Sequence, residues 1–146
     1  MQITRRHARE WAIQMLVAAD LNPPVDVDAF IDEFFSVLST MDAKDGGIKG
    51  KIGPKMKAFA ADRARGVLLG LADIDAKVEA LLDGWQLGRL GTVERSVMRM
   101  GVWELDNTDL PPAVVINEAV DLVNWFSSPK SRSIVNGVLD KYAKTR

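Results

Sequence analysis

Apolar residues recur at intervals of three and four along almost the whole chain, and few architectures accommodate such a pattern. The first segment shows the spacing well, because it places Ala8, Trp11 and Met15 on one side of a helix. No segment of the sequence sustains the alternation with a period of two that a half-buried strand requires. The sequence therefore predicts an all-α protein of about seven helices.

Proline and glycine mark the breaks between these helices. The first helix ends at "NPP" (22–24), because proline lacks the backbone N–H and clashes with the preceding turn. Residues 41–55, "MDAKDGGIKGKIGPK", contain four glycines and a proline, which predicts a flexible glycine- and lysine-rich loop. We expect one domain over residues 1–146, with an N-terminal half of about 1–71 and a C-terminal half of about 72–146.

Caps and apolar spacing predict several local details. Thr92 has the residue type of an N-cap, and Gly137 would let two helices approach closely. Pro112 suits the first turn of a helix, and Ser128 followed by Pro129 has the form of a cap and a first turn. The residues of the second helix (26–38) that we expect to face the core are Phe30, Phe34, Val37 and Leu38.

The charge balance restricts how the chain could bind a polyanion. Nineteen Lys and Arg side chains oppose twenty Asp and Glu side chains, for a net charge of −1. Binding to nucleic acid depends on many cation–phosphate contacts, so such a function would need a local basic patch. The lack of cysteine is compatible with a reducing cytosol. With no signal-peptide core and no apolar stretch long enough for a bilayer, we expect a cytoplasmic protein with no membrane partner.

The sequence singles out no catalytic site, because no pair of its twenty scattered carboxylates stands out for acid–base work and a solvated surface explains them better. A single histidine, His7, excludes a His-rich metal site and most His-based triads. The acidic pairs at 26/28 and 73/75 lack the glycine that a calcium loop needs at its sixth position. "GGIKGKI" (46–52) has the wrong spacing for a phosphate loop, and Ile52 replaces the magnesium-binding hydroxyl. We therefore expect no enzymatic activity, no metal and no cofactor.

The segment "TRRHARE" is the candidate basic patch. On a helical wheel, Arg5, Arg6 and Arg9 fall within about a quarter turn, beside the apolar stripe. His7 and Gln14 lie further round the helix. Guanidinium groups bind phosphates through two donors and can stack on exposed bases. By charge pattern alone, RNA contact and an ordinary solvated surface explain this cluster equally well.

Four segments resemble the NusB family of bacterial transcription antitermination factors. Residues 21–57 match the family poorly, but the order and spacing of the four segments make a specific signature. The segments are "RRHAREWAIQML" (5–16), "GWQLGRLGTVERSVMRMGVWEL" (84–105), "LPPAVVINEAVDLVNWF" (110–126) and "SIVNGVLDK" (133–141).

This resemblance implies an all-helical protein of two packed subdomains that binds the boxA element of nascent rRNA transcripts as single-stranded RNA. It implies that ribosomal protein S10 (NusE) binds together with the protein. Within the RNA polymerase antitermination complex, the pair would support rRNA transcription. The resemblance implies neither catalysis nor a cofactor.

The resemblance also assigns candidate site residues. Near the last helix, "SRSIVNG" (131–137) matches a second RNA-contacting region, with Arg132 and Asn136 as candidates. Glu94 matches a position near the protein-partner surface, and Glu118, a polar residue among core positions, is a second candidate for partner contact. The RNA-binding residues implied in the first helix are Arg5, Arg6, His7, Arg9 and Gln14.

Two departures from the family pattern affect this expectation. Val17 stands where a tyrosine is common, so an aromatic ring that could stack on a base is absent. Pro129 and Lys130 stand where acidic residues are usual. Because a lysine attracts phosphate, Lys130 is a further RNA-binding candidate, and we expect more electrostatic help from this loop.

Two other interpretations remain at this point. NusB-like domains also dock RNA in rRNA cytosine methyltransferases, although no cofactor-binding segment follows "VNGVLDK" here. The chain could instead be a protein-binding scaffold, such as a homodimer that covers its own RNA face.

Overall fold

The computed structural model describes residues 3–41, 52–84, 86–126 and 128–146 of the chain. Within these residues it contains α-helices, a 3-10 turn at Leu87–Arg89 and no strand, which confirms the predicted all-α fold class. The seven α-helices found there are α1 (Arg5–Leu21), α2 (Val27–Thr40), α3 (Pro54–Leu69), α4 (Leu71–Glu79), α5 (Thr92–Asn107), α6 (Pro112–Phe126) and α7 (Pro129–Thr145).

The helices form two compact units, Met1–Leu69 and Gly70–Arg146. The division falls after Leu69, where α3 ends, rather than after residue 71. Most of the predicted glycine- and lysine-rich loop, residues 42–51, lies outside the described residues. At its far end, α3 begins at Pro54, two residues before the expected start, because proline suits a first helical turn.

In the first unit, α1 and α2 both pack on α3. Alanines of both α1 and α3 are buried in this core. The Trp11 ring meets the Phe35 ring edge-on, with 6.1 Å between centroids, which is a favourable aromatic geometry. The buried residues of this core are Ala8, Trp11, Met15, Ile31, Phe35, Ala60, Ala61 and Ala64.

The predicted inward face of α2 is partly wrong. Ile31 and Phe35, one turn apart, are the buried residues of this helix, and Val37 is 54% exposed. Phe30, Phe34 and Leu38, which were expected to face the core, are half-buried and do pack against it. The reason is that α2 carries more apolar residues than its contacts with α1 and α3 bury, so spacing alone does not show which of them are covered.

In the second unit, α5 is the central helix and contacts α4, α6 and α7. A Cβ added at Gly101 would lie 2.8 Å from both terminal methyl groups of Leu139, so the lack of a side chain at Gly101 makes room for Leu139 of α7. The prediction that Gly137 allows close packing is wrong. Gly137 is exposed, and an added Cβ there would meet no described atom within 4 Å.

The caps of the second unit follow the sequence only in part. The Ser128 side chain accepts a hydrogen bond from the Ser131 N–H, and Pro129 begins α7, as predicted. Pro112 begins α6, also as predicted. Thr92 is not the N-cap of α5, because Gly91 occupies that position and Thr92 is the first helical residue.

A cluster around Asp106 joins three helices of the second unit. The Asp106 carboxylate, near the end of α5, accepts hydrogen bonds from Lys77 Nζ of α4 at 3.1 Å and from the Tyr142 hydroxyl of α7 at 2.7 and 2.9 Å. At the end of α7, the Arg146 guanidinium donates to the carbonyl oxygen of Leu105. The ends of α5 and α7 are therefore tied together.

Candidate nucleic-acid interface

The first turn of α1 presents two exposed arginines, Arg5 and Arg6. Thr4 precedes the helix in an extended conformation and acts as its N-cap residue. Its backbone N–H donates a hydrogen bond to Nδ1 of His7 at 3.0 Å. His7 thus helps α1 to begin at Arg5, and the start of the helix fixes where the two arginines emerge.

Arg9 does not lie on the same exposed surface, which corrects the interpretation of the helical wheel. Arg9 is 4% exposed, and its guanidinium carbon lies 5.2 Å from the centroid of the Phe59 ring. The wheel places Arg9 beside the apolar stripe, but α3 packs on α1 and covers this side as well. Arg9 therefore contributes to the packing of the first unit rather than to an open phosphate-binding face.

Phe59 and Arg63 of α3 complete this cluster, although neither was among the site residues predicted from the sequence. The Arg63 guanidinium carbon lies 3.5 Å from the Phe59 ring centroid, and its Nη1 donates to the Phe59 carbonyl oxygen at 3.3 Å. The guanidinium carbon of exposed Arg5 lies 5.9 Å from the same centroid. A signal was available in the sequence, because an aromatic residue and an arginine four positions apart adjoin on a helix.

Gln14 is exposed on α1, two turns beyond the arginines of the first turn. The remaining RNA-binding candidates belong to the second unit, near the start of α7. Lys130 and Asn136 are exposed there, and Arg132 is half-buried. Within each unit, exposed cations are thus found close to a helix N-terminus, where backbone N–H groups also favour an anion.

The two candidates for partner contact are both half-buried in the second unit. Glu94 lies in the first turn of α5, and its carboxylate accepts a hydrogen bond from the Ser131 hydroxyl of α7 at 2.8 Å. The same carboxylate folds over Gly91, where an added Cβ would clash with it. Glu94 thus joins the starts of α5 and α7, whereas Glu118 lies on α6.

The acidic pairs are engaged with basic side chains and with a helix start. Asp75 binds Arg99 through two hydrogen bonds of 2.7 and 2.9 Å, and Asp73 forms an ion pair with Lys77 at 3.1 Å. Asp26 caps α2 by accepting from a backbone N–H. Among the described residues, no three His, Asp or Glu side chains are grouped as metal ligands would be.

None of the described helices combines the length and the apolar character that a membrane crossing requires.

Comparison with known proteins places these features in a family. The NusB family model matches residues 6–144. The transcription antitermination protein NusB of Nitratiruptor sp. is 37% identical over 141 residues, which cover 97% of this chain and 92% of that protein.

Two solved structures are also similar. T. maritima NusB superimposes with a TM-score of 0.81 at 28% identity, over 100% of this chain and 94% of that one. The antitermination factors NusB and NusE have been crystallised in complex with dsRNA. A chain of that complex matches with a TM-score of 0.76 at 29% identity, over 97% of both chains. The chain described here, matched over nearly its whole length, belongs to the NusB family.

Proposed function

We propose that this chain is a transcription antitermination factor that binds boxA RNA of nascent rRNA transcripts together with ribosomal protein S10 (NusE). The observation that carries the proposal is the match over nearly the whole chain to antitermination proteins of the NusB family, one of them solved with NusE and RNA. In this role the protein supports rRNA transcription within the RNA polymerase antitermination complex.

The exposed cations supply the RNA-contacting groups. Arg5 and Arg6 emerge from the first turn of α1. On α7, Lys130 lies in the first turn, and Arg132 and Asn136 follow it along the helix. Because the net charge is only −1, these local groups rather than a generally basic surface hold the RNA. Arginine binds phosphate oxygens through two parallel hydrogen bonds, which gives each contact a defined geometry.

The protein partner binds the second unit near Glu94 and Glu118. Both carboxylates are half-buried, so a partner that covers them meets charges already held in place. The Glu94–Ser131 hydrogen bond connects this surface to the start of α7, which carries Lys130. Protein binding near Glu94 and RNA binding near Lys130 would therefore involve adjoining helix ends within one unit.

The protein works by binding alone, in the cytoplasm, without catalysis or a cofactor. A chain with one histidine and no cysteine cannot form a cysteine nucleophile or a His-rich or Cys-rich metal site within itself.

The test is a binding titration with labelled boxA RNA and with a scrambled RNA of the same composition, each with and without ribosomal protein S10. A boxA duplex is included as well, because the related complex contains dsRNA. We expect tighter binding to boxA than to the scrambled RNA, and tighter binding still with S10. Equal affinity for both RNAs in both conditions overturns the proposal.

Arg6→Ala tests whether the RNA binds at the first turn of α1. Arg89→Ala is the matched control, because both arginines are exposed and only Arg6 lies in α1. We expect Arg6→Ala to weaken boxA binding at unchanged helix content and melting temperature, and Arg89→Ala to leave binding unchanged. A fall in melting temperature would instead assign Arg6 a structural role. Sedimentation with and without boxA RNA tests the alternative that the chain is a homodimeric scaffold. A stable dimer that binds no boxA RNA would support that alternative.

A further inference from the structure

Three arginines of the first unit surround one aromatic ring. The guanidinium carbons of Arg63, Arg9 and Arg5 lie 3.5, 5.2 and 5.9 Å from the centroid of Phe59. These distances fall within the range in which a cation is attracted to the π-face of an aromatic side chain. Two of the arginines are almost fully buried, and Arg5 is exposed. The ring thus lies between the interior of the unit and the exposed first turn of α1.

The buried side of the cluster holds the ring in place. Arg63 lies one turn after Phe59 on α3, contacts the ring and donates to the Phe59 carbonyl oxygen at 3.3 Å. Arg63 is 6% exposed and Arg9 is 4% exposed, so neither guanidinium can move freely into solvent. Phe59 is itself packed against the core of the first unit. Its ring is therefore a fixed surface rather than a mobile side chain.

The exposed side of the cluster concerns Arg5. An arginine in the first turn of a helix gains nothing from the helix dipole, which disfavours a cation there. A long side chain that is free in solution also loses rotamer entropy when it binds a phosphate. Contact with a fixed aromatic ring restricts the guanidinium before the ligand arrives. Preorganisation of this kind improves affinity without adding a contact to the ligand.

We propose that Phe59, held by Arg63, is a positioning residue of the RNA site that fixes the Arg5 guanidinium for phosphate binding. The proposal rests on the proposed RNA-binding function and extends it from α1 to α3. Phe59 and Arg63 would thus both affect RNA affinity, although Arg63 is too deeply buried to reach the RNA itself.

The test compares Phe59→Leu, Phe59→Tyr and Arg5→Ala in the full chain, with boxA RNA as the probe. Leucine keeps an apolar side chain but removes the π-face, whereas tyrosine keeps the π-face. We expect Phe59→Leu to weaken binding by about two- to five-fold, the size of an exposed cation–π contact, and Phe59→Tyr to bind like the wild type.

A double-mutant cycle distinguishes positioning from other roles. If Phe59 acts through Arg5, Arg5→Ala lowers affinity in the wild type and Phe59→Leu then has no further effect in the Arg5→Ala background. Additive losses overturn the proposal, because they mean that the ring contacts RNA directly or supports the fold in general. Unchanged binding by Phe59→Leu overturns it as well.

Measurements of helix content and melting temperature show whether each variant is folded. If Phe59→Leu does not fold, Arg63→Met takes its place in the same cycle, because it keeps the apolar stem and removes the group that holds the ring. Failure of this inference is distinct from failure of the proposed function. If the wild-type protein does not prefer boxA RNA, the proposed function is contradicted. If it does prefer boxA RNA, but substitution of Phe59 or Arg63 leaves the affinity unchanged or lowers it additively with Arg5→Ala, only the positioning role is contradicted.

Discussion

Among single residues, Tyr142 has an environment that a simple titration can report. Burial and the hydrogen bond to Asp106 raise the pKa of its hydroxyl above the ordinary value. The hydrogen bonds to Asp106 and Asp73 likewise raise the pKa of Lys77, whose ammonium group lies 3.1 Å from the same Asp106 carboxylate. Tyr142 is the only tyrosine of the chain, so the near-ultraviolet absorbance of phenolate measures this residue alone.

We predict that Tyr142 ionises at a higher pH in the folded chain than in denaturant, and that Asp106→Asn lowers this pH. The stabilisation linked to the raised pKa is fully present below about pH 10, the unfolded value, and is lost as the pH rises through the folded value. Absorbance titration checks both points. Asp140→Asn is the control, because Asp140 pairs with Lys144 on the same helix. An unshifted folded titration contradicts the prediction.

At the scale of elements, the close approach of α5 and α7 depends on the absence of one side chain. Gly101→Ala gains about 1 kcal/mol of helix propensity, but it brings a methyl group to 2.8 Å from the terminal carbons of Leu139, which is fully buried. Overpacking of this kind costs about 1–3 kcal/mol. We predict a net loss of about 1 kcal/mol in the free energy of unfolding, measured by urea denaturation.

Gly137→Ala is the matched control for this packing prediction. It makes the same substitution in the middle of a helix, but at an exposed position with open space around the new methyl group among the described residues. We predict a gain of about 0.5–1 kcal/mol from helix propensity. A gain in stability by both variants would contradict the prediction, because it would mean that α7 shifts away from α5 without cost.

One of the links between α4 and α5 is the ion pair of Asp75 with Arg99. The Arg99 side chain is 9% exposed, so removal of the Asp75 carboxylate takes two hydrogen bonds from a charge with little access to water. We predict that Asp75→Ala lowers the free energy of unfolding by about 2 kcal/mol, as measured by denaturation. Asp73→Ala, which removes a 75% exposed carboxylate two residues earlier, should cost under about 1 kcal/mol. Equal losses would show that burial does not strengthen the Asp75 pair.

At the scale of the whole molecule, the near-neutral charge makes RNA binding depend on few cations. Each cation that neutralises a phosphate of single-stranded RNA adds about 0.7 to the slope of log affinity against log salt. We predict that Lys130→Glu lowers this slope by about that amount, measured by boxA titrations at several salt concentrations. Lys144→Glu, the same charge reversal at the far end of α7, should leave the slope unchanged. Equal slopes for the wild type and Lys130→Glu contradict a contact between Lys130 and phosphate.

The sequence predicted the helices better than the surfaces between them. The apolar stripe of α1 and the proline breaks follow from local spacing, and the structure has them where they were expected. A helical wheel does not show how much of a helix surface the neighbouring helices cover. Arg9 was therefore predicted to bind RNA and Val37 to face the core, whereas Arg9 is buried and Val37 is exposed. Gly101 and Gly137 are both helical glycines, but Gly101 is buried against Leu139 whereas Gly137 is exposed, and local spacing does not show this difference.

The Asp106 cluster also has a consequence for motion. Helix ends normally fray, and their amide hydrogens exchange quickly with solvent. Here Asp106 and Leu105, at the end of α5, are bonded to side chains from α4 and α7. The end of α2 has no comparable tie among the described residues, and Met41 after it is 37% exposed. Amide exchange should therefore be slower in the last turn of α5 than in the last turn of α2.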